Sequence, residues 1–305
     1  MNLIEEGFAV GIPAPGEDHF RTAQPARIGN VWARGKDYFE ADRVVAAAVL
    51  AAVPHQQVVA DITREHGALS VRALAQAGHD QFLDLGCGFP PARRDELPGI
   101  LGLSTHEIVH ELQPQARIVY VDFDYHVIAH ARVLYSGLTV GPDPVAVLAD
   151  ITRVPALLER LAERGVVDFE RPVAVLLHDV LPWIGDRPVR ALMADLRALL
   201  PAGSALSVSH AITQHPSGQR RSVQAVYRAH KITYRPRTVK AVRGLFGGWA
   251  DLKGAARVCL VPAARYHPAH SRTGQLAGLR AAYAGIAVKP PRLDRFRTTV
   301  KGSPA

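Results

Sequence analysis

From residue 81 onward, short apolar runs alternate with amphipathic segments along the chain. The runs that have the length and composition of buried strands span residues 82–85, 118–121, 145–148, 173–177 and 205–209. The segments that place apolar residues at helical spacing between them are 105–112, 127–134, 155–164 and 188–200. Parallel strands covered by helices on both faces show this alternation. The pattern therefore predicts an α/β fold with a doubly wound parallel sheet.

The first 80 residues have a different pattern. Residues 1–29 are rich in Pro, Gly and polar residues without periodicity, which predicts an irregular arm or lid. Pro54 and Gly67 separate three stretches with helical spacing, at residues 39–53, 56–66 and 70–76. We therefore expect residues 1–80 to form an N-terminal arm and a helical cap.

The C-terminal third of the chain is basic. Helices are expected near residues 221–227 and 237–246, and a strand is expected at 256–262. Residues 269–305 are assigned to a basic C-terminal tail, which we expect to be loose near its end. The predicted sheet domain accordingly spans residues 81–268.

Composition limits the classes of function. With 48% hydrophobic and 21% charged residues, the chain is typical of a globular protein rather than a disordered or fibrous one. The longest apolar run, residues 44–53, is shorter than the roughly 20 residues that cross a bilayer. The N-terminus lacks the basic start of a signal peptide, so we expect a cytoplasmic protein with no membrane partner. Two cysteines without metal-ligand spacing predict neither a disulfide framework nor a metal site.

The most informative segment is the loop after the first predicted strand. In this segment (82–90, FLDLGCGFP), an apolar strand ends in an acidic residue and two closely spaced glycines. Gly86 and Gly88 allow a sharp turn and a closer approach to a ligand than a Cβ permits. A dinucleotide-binding loop has a third glycine where Pro91 stands, which argues against NAD. We expect a different nucleoside cofactor in contact with Gly86, Cys87 and Gly88.

Acidic residues end the first three predicted strands. Asp84 suits the cationic amino-acid part of S-adenosylmethionine (SAM) better than it suits a phosphate, and Asp122 can accept hydrogen bonds from both ribose hydroxyls. Asp150 is placed to bind the adenine amino group. The residues that follow the last two acids, Phe123 and Ile151, are expected to contact the cofactor as well. Each acid alone is more often a helix cap or a loop residue, but three in succession favour a cofactor site.

With these residues in view, the sequence resembles a known family, the class I SAM-dependent methyltransferases. Within it, the chain is similar to a group from high-GC filamentous bacteria that was long classed as a domain of unknown function. The segments that carry the resemblance are QPAR (24–27), GKDYFEADR (35–43), FLDLGCGFP (82–90), STHE (104–107), VYVD (119–122), LAD (148–150) and VSHA (208–211). The resemblance covers about residues 25–268. It implies a Rossmann-like methyltransferase sheet, SAM as cofactor, S-adenosylhomocysteine (SAH) as product, and no metal.

The entry motif at residues 24–43 departs from the group's pattern in several places. Arg34 replaces the first glycine of a pair, Tyr38 replaces Asn, and Gly29-Asn30 replaces a usual Tyr-Asp. The lid is therefore expected to differ from that of its relatives. Lys36 keeps its place in the motif, and the resemblance places it at the cofactor.

The segment after the fourth predicted strand lies where substrates bind in open α/β sheets. It carries His178 and Asp179, which we assign as a catalytic acid/base pair, with His178 also in contact with the cofactor. The aromatic residues Trp183, Tyr38 and Phe39 are candidate walls for a substrate and for the sulfonium methyl group. The alternative interpretation is that His178 packs on the adenine and that Asp179 caps a loop.

Some members of the family that this chain resembles methylate C3 of an indole, so that the ring closes to a pyrroloindoline. The resemblance therefore suggests a small aromatic natural product as acceptor, such as a tryptophan-containing cyclic dipeptide. The net charge of +8 keeps an RNA methyltransferase as an alternative, although the sequence contains no RNA-binding appendage or RNA-methyltransferase motif. A non-catalytic SAM-binding regulator is the third class. The basic helix near residues 221–227 is a candidate homodimer face.

Overall fold

A mixed sheet forms the centre of the computed structural model, which describes residues 9–10, 16, 18–91, 102–138, 140–213, 219–256, 258–263 and 282–291. Its strands in chain order are β1 (Ala9–Val10), β2 (Gln81–Leu85), β3 (Arg117–Asp122), β4 (Val145–Ala149), β5 (Ala174–His178), β6 (Ala205–Ala211), β7 (Ala250–Asp251), β8 (Val261–Pro262) and β9 (Ala282–Val288). Their order across the sheet is β1-β4-β3-β2-β5-β6-β9-β7, and β8 pairs with β9.

Helices cover the faces of this sheet. They are α1 (Asp18–Arg21), α2 (Pro25–Trp32), α3 (Glu40–Ala52), α4 (Gln56–Gln76), α5 (Thr105–His110), α6 (Tyr125–Leu134), α7 (Val154–Glu163), α8 (Asp186–Leu199), α9 (Gln219–Ala229) and α10 (Val239–Leu245). In α8, Val189, Leu192 and Leu196 recur at helical spacing and are fully buried, so one face of the helix packs into the core. None of these helices alone has the length and hydrophobicity to span a bilayer. Helices α3 and α4, which meet at a bend, have the required length and hydrophobicity only when they are taken together.

Strands β2 to β6 run parallel and are largely buried. Strand β2 lies between β3 and β5, so the chain moves from β2 outward to β4 and then returns to the other side of β2. Ligands bind at such a reversal of strand order, outside the carboxyl ends of the strands. The predicted doubly wound α/β fold is confirmed, and each of its five predicted strands is observed within two residues of the expected bounds.

The predicted helix break at Gly67 is wrong, because α4 runs without interruption from Gln56 to Gln76. Gly67 faces the imidazole of His178, and a Cβ at this position would lie 3.2 Å from Nδ1. The glycine therefore makes room for a side chain at the end of β5 and does not end the helix. Packing overrides helix propensity here, which disfavours an internal glycine by about 1 kcal/mol relative to Ala.

The N-terminal arm contains more regular structure than the sequence predicts. Strand β1 pairs in parallel with β4, and the two helices α1 and α2 follow it. Residues 1–8, 11–15 and 17 of the predicted arm lie outside the described residues. The described part of the arm is therefore an addition to the edge of the sheet and a pair of helices, not an irregular segment.

The C-terminal end also contributes to the sheet. Strand β9 falls inside the stretch 269–305 that we assigned to a basic tail, and it pairs antiparallel with β6 over its whole length. Its sequence, AYAGIAV, is rich in Ala and Gly, which have low β-propensity, so the strand is weakly signalled. Helices α9 and α10 confirm the two helices predicted before it. In the described part of the expected strand 256–262, only Val261–Pro262 is assigned to a strand, β8. Residues 292–305 lie outside the described residues.

Candidate functional site

A cavity of about 510 Å³ lies at the carboxyl ends of β2, β3, β4 and β5. Helices α2 and α4, together with residues 230–233, supply the rest of its lining. The cavity therefore lies at the reversal of strand order, where the fold predicts a ligand. The predicted site residues that line it are Asp84, Gly86, Cys87, Gly88, Asp122, Phe123, Asp150, Ile151, His178, Asp179 and Trp183.

The glycine loop after β2 turns sharply under this cavity. The backbone N–H groups of Gly86 and Cys87 both donate to the carbonyl of Val121, at 2.7 and 3.1 Å. Gly86 and Gly88 have φ values of 76° and 63°, in the region that favours glycine. A Cβ at Gly86 would lie 2.3 Å from Cγ2 of Val180, so the space it would take belongs to the protein and not to a ligand. A Cβ at Gly88 would meet no atom within 4 Å, so there the loop faces open space.

Replacing Gly86 with Ala is expected to destabilise the protein. The positive φ costs about 1–2 kcal/mol for a residue with a Cβ, and the overlap with Val180 adds roughly 1–3 kcal/mol of overpacking. The free energy of unfolding in urea measures the effect. Gly165→Ala is the matched control, because Gly165 has a φ of 64° and no atom within 4 Å of its Cβ position. Equal losses in the two variants would contradict the role assigned to Val180.

Two buried carboxyl groups flank the glycine loop. Asp84 accepts a hydrogen bond from Oγ1 of Thr105 at 3.1 Å, and Asp122 accepts from the backbone N–H groups of Gly88 and Asp124 at 3.0 and 2.9 Å. Burial raises the pKa of Asp84 to about 7 and the pKa of Asp122 to about 6. Among the described residues, no Lys or Arg forms an ion pair with either group. A cationic ligand would favour their ionised forms, which fits the charge of SAM.

The end of β4 is built differently. Asp150 caps the short 3₁₀ turn Ile151–Arg153, and its Oδ1 accepts from the backbone N–H and the hydroxyl of Thr152 at 2.9 and 2.7 Å. Phe123, at the end of β3, is 46% exposed and lines the same part of the cavity. These residues form an apolar slot with one carboxylate at its edge, which is suited to a purine ring with an exocyclic amino group.

His178 and Asp179 both line the cavity, but no hydrogen bond joins them within the described part of the chain. Nε2 of His178 lies 2.9 Å from the hydroxyl of Ser207 and 3.2 Å from that of Ser70. Asp179 has a φ of 56°, and its backbone N–H donates to the carbonyl of Ser209. The two residues assigned as a catalytic acid/base pair therefore have different neighbours, and each is considered separately.

Burial has opposite effects on these two groups. It lowers the pKa of His178 to about 4 and raises the pKa of Asp179 to about 7. His178 is consequently neutral and weakly basic at neutral pH, whereas Asp179 titrates near it. The side chain of Asp179 makes no hydrogen bond or ion pair with any described residue. Of the two, Asp179 has the properties of a general base.

Three aromatic rings pack together within electrostatic reach of Asp179. The ring of Trp183 lies 5.1 Å from that of Tyr227 and 4.9 Å from that of Tyr234, and the two tyrosines are 4.9 Å apart. The charge of Asp179 contributes to a raised pKa in both tyrosines, after burial. The sequence did not single out either tyrosine, because neither belongs to a recognisable motif.

Arg237 holds the turn that carries Trp183. Its guanidinium donates to the carbonyl oxygens of Leu181 and Ile184 at 2.8 and 2.9 Å and forms an ion pair with Asp186 at 2.9 Å. Because Arg237 can only donate, Nε2 of His210 at 2.9 Å is the acceptor. His210 therefore supports the turn through Arg237 and does not line the cavity.

Three of the predicted site residues, Lys36, Tyr38 and Phe39, do not line the cavity. Lys36 is exposed, and Phe39 packs in a separate cluster, with its ring 5.0 Å from the guanidinium of Arg27. The segment that contains them leads from α2 into α3, beside the cavity wall and not in it. The resemblance placed Lys36 at the cofactor, and Tyr38 and Phe39 were candidate substrate walls, but none of the three side chains reaches the lining of this cavity.

The entry motif instead supplies a buried ion cluster. The side chain of Arg27 is fully buried, and its Nε lies 3.5 Å from Asp42 and 3.2 Å from Asp124. The guanidinium also donates to the backbone carbonyls of His19 and Thr22. Asp124 follows β3 and caps α6, so the cluster joins the N-terminal helices to the edge of the cavity. Within the described residues, no group of His, Cys, Asp or Glu is arranged to hold a metal ion.

Known proteins resemble this chain over most of its length. A protein-family model described as S-adenosyl methyltransferase matches residues 17–290. A crystal structure from Thermobifida fusca YX, described provisionally as a methyltransferase, is 28% identical with a TM-score of 0.77, and the match covers 89% of this chain and 96% of that one. A DUF574 family protein from Streptomyces avermitilis MA-4680 is also 28% identical with a TM-score of 0.77, over 89% of this chain and 99% of that one. No functionally curated protein sequence matches the chain significantly.

Proposed function

The chain belongs to the S-adenosyl methyltransferase family, and we propose that this SAM-dependent enzyme methylates a small aromatic natural product. Family membership establishes the methyl donor and the class of reaction, and the acceptor is the proposed part. The observation that carries the proposal is the position of Asp179, a half-buried carboxyl that lines the cavity, makes no side-chain hydrogen bond with a described residue and lies within electrostatic reach of an aromatic cluster. Such a group is suited to removing a proton from an aromatic N–H or O–H.

The residues at the ends of β2, β3 and β4 fit the three parts of SAM. Asp84 would accept from the α-ammonium group, Asp122 from the ribose hydroxyls, and Asp150 from the adenine amino group. Gly88 leaves open space on the cavity side of the loop, where a side chain would obstruct a ligand. SAM supplies an electrophilic methyl group on its sulfonium, and the task of the protein is to place an acceptor in line with it.

The acceptor side is formed by Trp183 and Asp179. The indole ring of Trp183 offers a flat surface that is itself held by Tyr227 and Tyr234, so it can stack on an aromatic acceptor without reordering. Asp179 would accept the proton of an indole N–H while C3 of the same ring gains the methyl group. The electron pair of the N–H bond moves into the ring, C3 takes the methyl group as its bond to the sulfonium breaks and SAH leaves, and a C2=N indolenine results. A neighbouring amide nitrogen then adds to C2, its own proton is lost and the ring nitrogen regains one from Asp179, which gives a pyrroloindoline.

His178 has a supporting role in this mechanism. Its imidazole is held by Ser70 and Ser207 and packs against Gly67, so it is fixed in position rather than free to accept a proton. With its pKa lowered to about 4, it presents a neutral ring to the cavity. We therefore assign proton removal to Asp179 and the shape of the cavity wall to His178.

The test is transfer of label from methyl-labelled SAM to separate pools of acceptor. Parallel reactions contain indoles with tryptophan cyclic dipeptides, bulk tRNA with rRNA, or buffer alone. Label in the small-molecule pool is the expected result. Label in RNA that falls steeply with added salt would replace the proposal with the alternative that the net charge of +8 suggests. Retention of bound SAM with no transfer to any pool would favour a non-catalytic binder and count against the proposed acceptor.

A further inference from the structure

Arg64 is a cation in the cavity wall that the functions described above do not use. It lies on the cavity-lining face of α4, one helical turn before Gly67. Its guanidinium has no hydrogen bond or ion pair with any described residue, although it carries five N–H donors. Burial lowers its pKa, and Asp61, one turn earlier on α4, is exposed and beyond ion-pair distance. A partly buried guanidinium without a partner is costly unless a ligand satisfies it.

Arg64 and Asp84 lie toward the same end of the cavity. The phenol of Tyr135 is within electrostatic reach of both side chains, and its oxygen is hydrogen-bonded to the hydroxyl of Ser104 at 3.2 Å. Ser104 in turn precedes Thr105, which donates to Asp84. A carboxyl group and a guanidinium within reach of the same tyrosine match the two charges of an amino-acid zwitterion.

Other polar atoms in the same wall also lack partners. Nδ2 of Asn30, Nε1 of Trp32 and Oγ1 of Thr63 are buried and form no hydrogen bond among the described residues. All three residues line the cavity from α2 and α4. Two of these atoms are obligatory donors and the third can donate, so donors without partners outnumber the one exposed carboxylate, Asp61, that the same wall contains. The chemistry of this wall therefore suits a ligand group that accepts hydrogen bonds.

We propose that Arg64 is the carboxylate-binding residue of this cavity and that it takes the α-carboxylate of SAM, opposite Asp84. A guanidinium pairs with a carboxylate through two parallel N–H···O bonds, which fixes direction as well as distance. Arg64 would thereby orient the methionine part of the cofactor and the sulfonium that follows it. A carboxylate on the acceptor is the other source of the same chemistry, and the experiment separates the two.

The first arm measures binding of SAH and of 5′-methylthioadenosine, which lacks the amino-acid part, to the full chain by calorimetry. Arg64→Met roughly keeps the volume of the side chain and removes the charge. Arg64→Lys keeps the charge but removes the two parallel N–H donors of the guanidinium. We expect Arg64→Met to weaken SAH at least about tenfold, with Arg64→Lys intermediate and methylthioadenosine unchanged within about twofold. Arg72→Met is the matched control, since Arg72 lies on α4, is exposed and does not line the cavity.

The second arm depends on the proposed aromatic acceptor, whereas the first does not. At saturating SAH, binding of indole-3-acetate is compared with that of 3-methylindole. If Arg64→Met leaves SAH unchanged but abolishes a preference for indole-3-acetate, the carboxylate belongs to the acceptor. The proposal is overturned if Arg64→Met changes neither the affinity for SAH relative to methylthioadenosine nor the affinity for indole-3-acetate relative to 3-methylindole. It is also overturned if the affinities for SAH and methylthioadenosine fall equally. Thermal midpoints without ligand show whether a variant has lost its fold. If Arg64→Met does not fold, the affinity of Arg64→Lys for SAH tests the proposal instead.

Discussion

Replacing Asp179 with Asn is expected to lower the rate of methyl transfer by about 10²- to 10⁴-fold, the usual contribution of a general base. Asn occupies the same space, and it tolerates the left-handed backbone at this position, where φ is 56°. The variant should therefore keep its thermal midpoint and its affinity for SAH. The measurement is kcat with the acceptor that gains label from SAM.

The pH dependence of the same reaction gives an independent readout. Because burial raises the pKa of Asp179 to about 7, a large share of the carboxyl is protonated at pH 6 and cannot accept a proton. The rate should therefore rise with pH through about 7 and level off above it. Asp179→Asn should lose this dependence along with most of the rate.

His178→Gln is the matched control for Asp179→Asn. Glutamine keeps a polar group near the hydroxyls of Ser70 and Ser207 and cannot titrate. We expect it to change kcat by only a few-fold and to leave the rise through pH 7 in place. The assignment of the base would be wrong if the double replacement His178→Ala with Asp179→Asn kept turnover within a few-fold of the parent.

Replacing Arg27 with Met is expected to cost about 3–5 kcal/mol of stability, because it leaves two carboxylates buried without their cation. Asp42 and Asp124 are both buried, and Asp124 also caps α6. Residues 24–26 line the cavity from α2, so the same change should weaken SAH binding as the helix loses its anchor. Urea unfolding and calorimetry measure the two effects.

Two further variants test whether charge is the cause. Arg43→Met removes an arginine from the same segment, but its partner Glu40 and the pair are exposed, so no measurable loss is expected. Adding Asp124→Asn to Arg27→Met removes one of the stranded charges and should recover part of the lost stability. If Arg27→Met proved no more harmful than Arg43→Met, the buried cluster would not anchor the arm.

The parallel part of the fold is predictable because its strands are buried on both faces and carry continuous apolar runs. The elements that the sequence hides are those whose local signal is weak or misleading. Gly67 looks like a helix break, but the glycine is required by His178, which comes from a strand more than a hundred residues later. Strand β9 is hidden because alanine and glycine form it, and its stability comes from pairing with β6 rather than from its own propensity.

The proposed cofactor half of the site is predictable for a similar reason. Asp84 and Asp122 lie at the ends of β2 and β3, Asp150 follows β4, and parallel strands bring their carboxyl ends to one edge whatever the details of packing. The proposed acceptor half depends on the packing of helices. Arg64 lines the cavity through its position on α4, whereas Tyr38 and Phe39 do not line it, and the sequence pattern indicates neither fact.

The position of β9 has a consequence for the synthesis of the chain. Strand β9 lies between β6 and β7 in the sheet and also pairs with β8, although it is the last strand in the described sequence. Until residue 288 leaves the ribosome, β6 is therefore an exposed edge with unpaired backbone groups, even though the cofactor loops are already made. Such an edge can pair with another chain. A nascent chain interrupted before residue 282 would consequently contain Asp84, Asp122 and Asp150, the proposed cofactor ligands, and still be prone to aggregate.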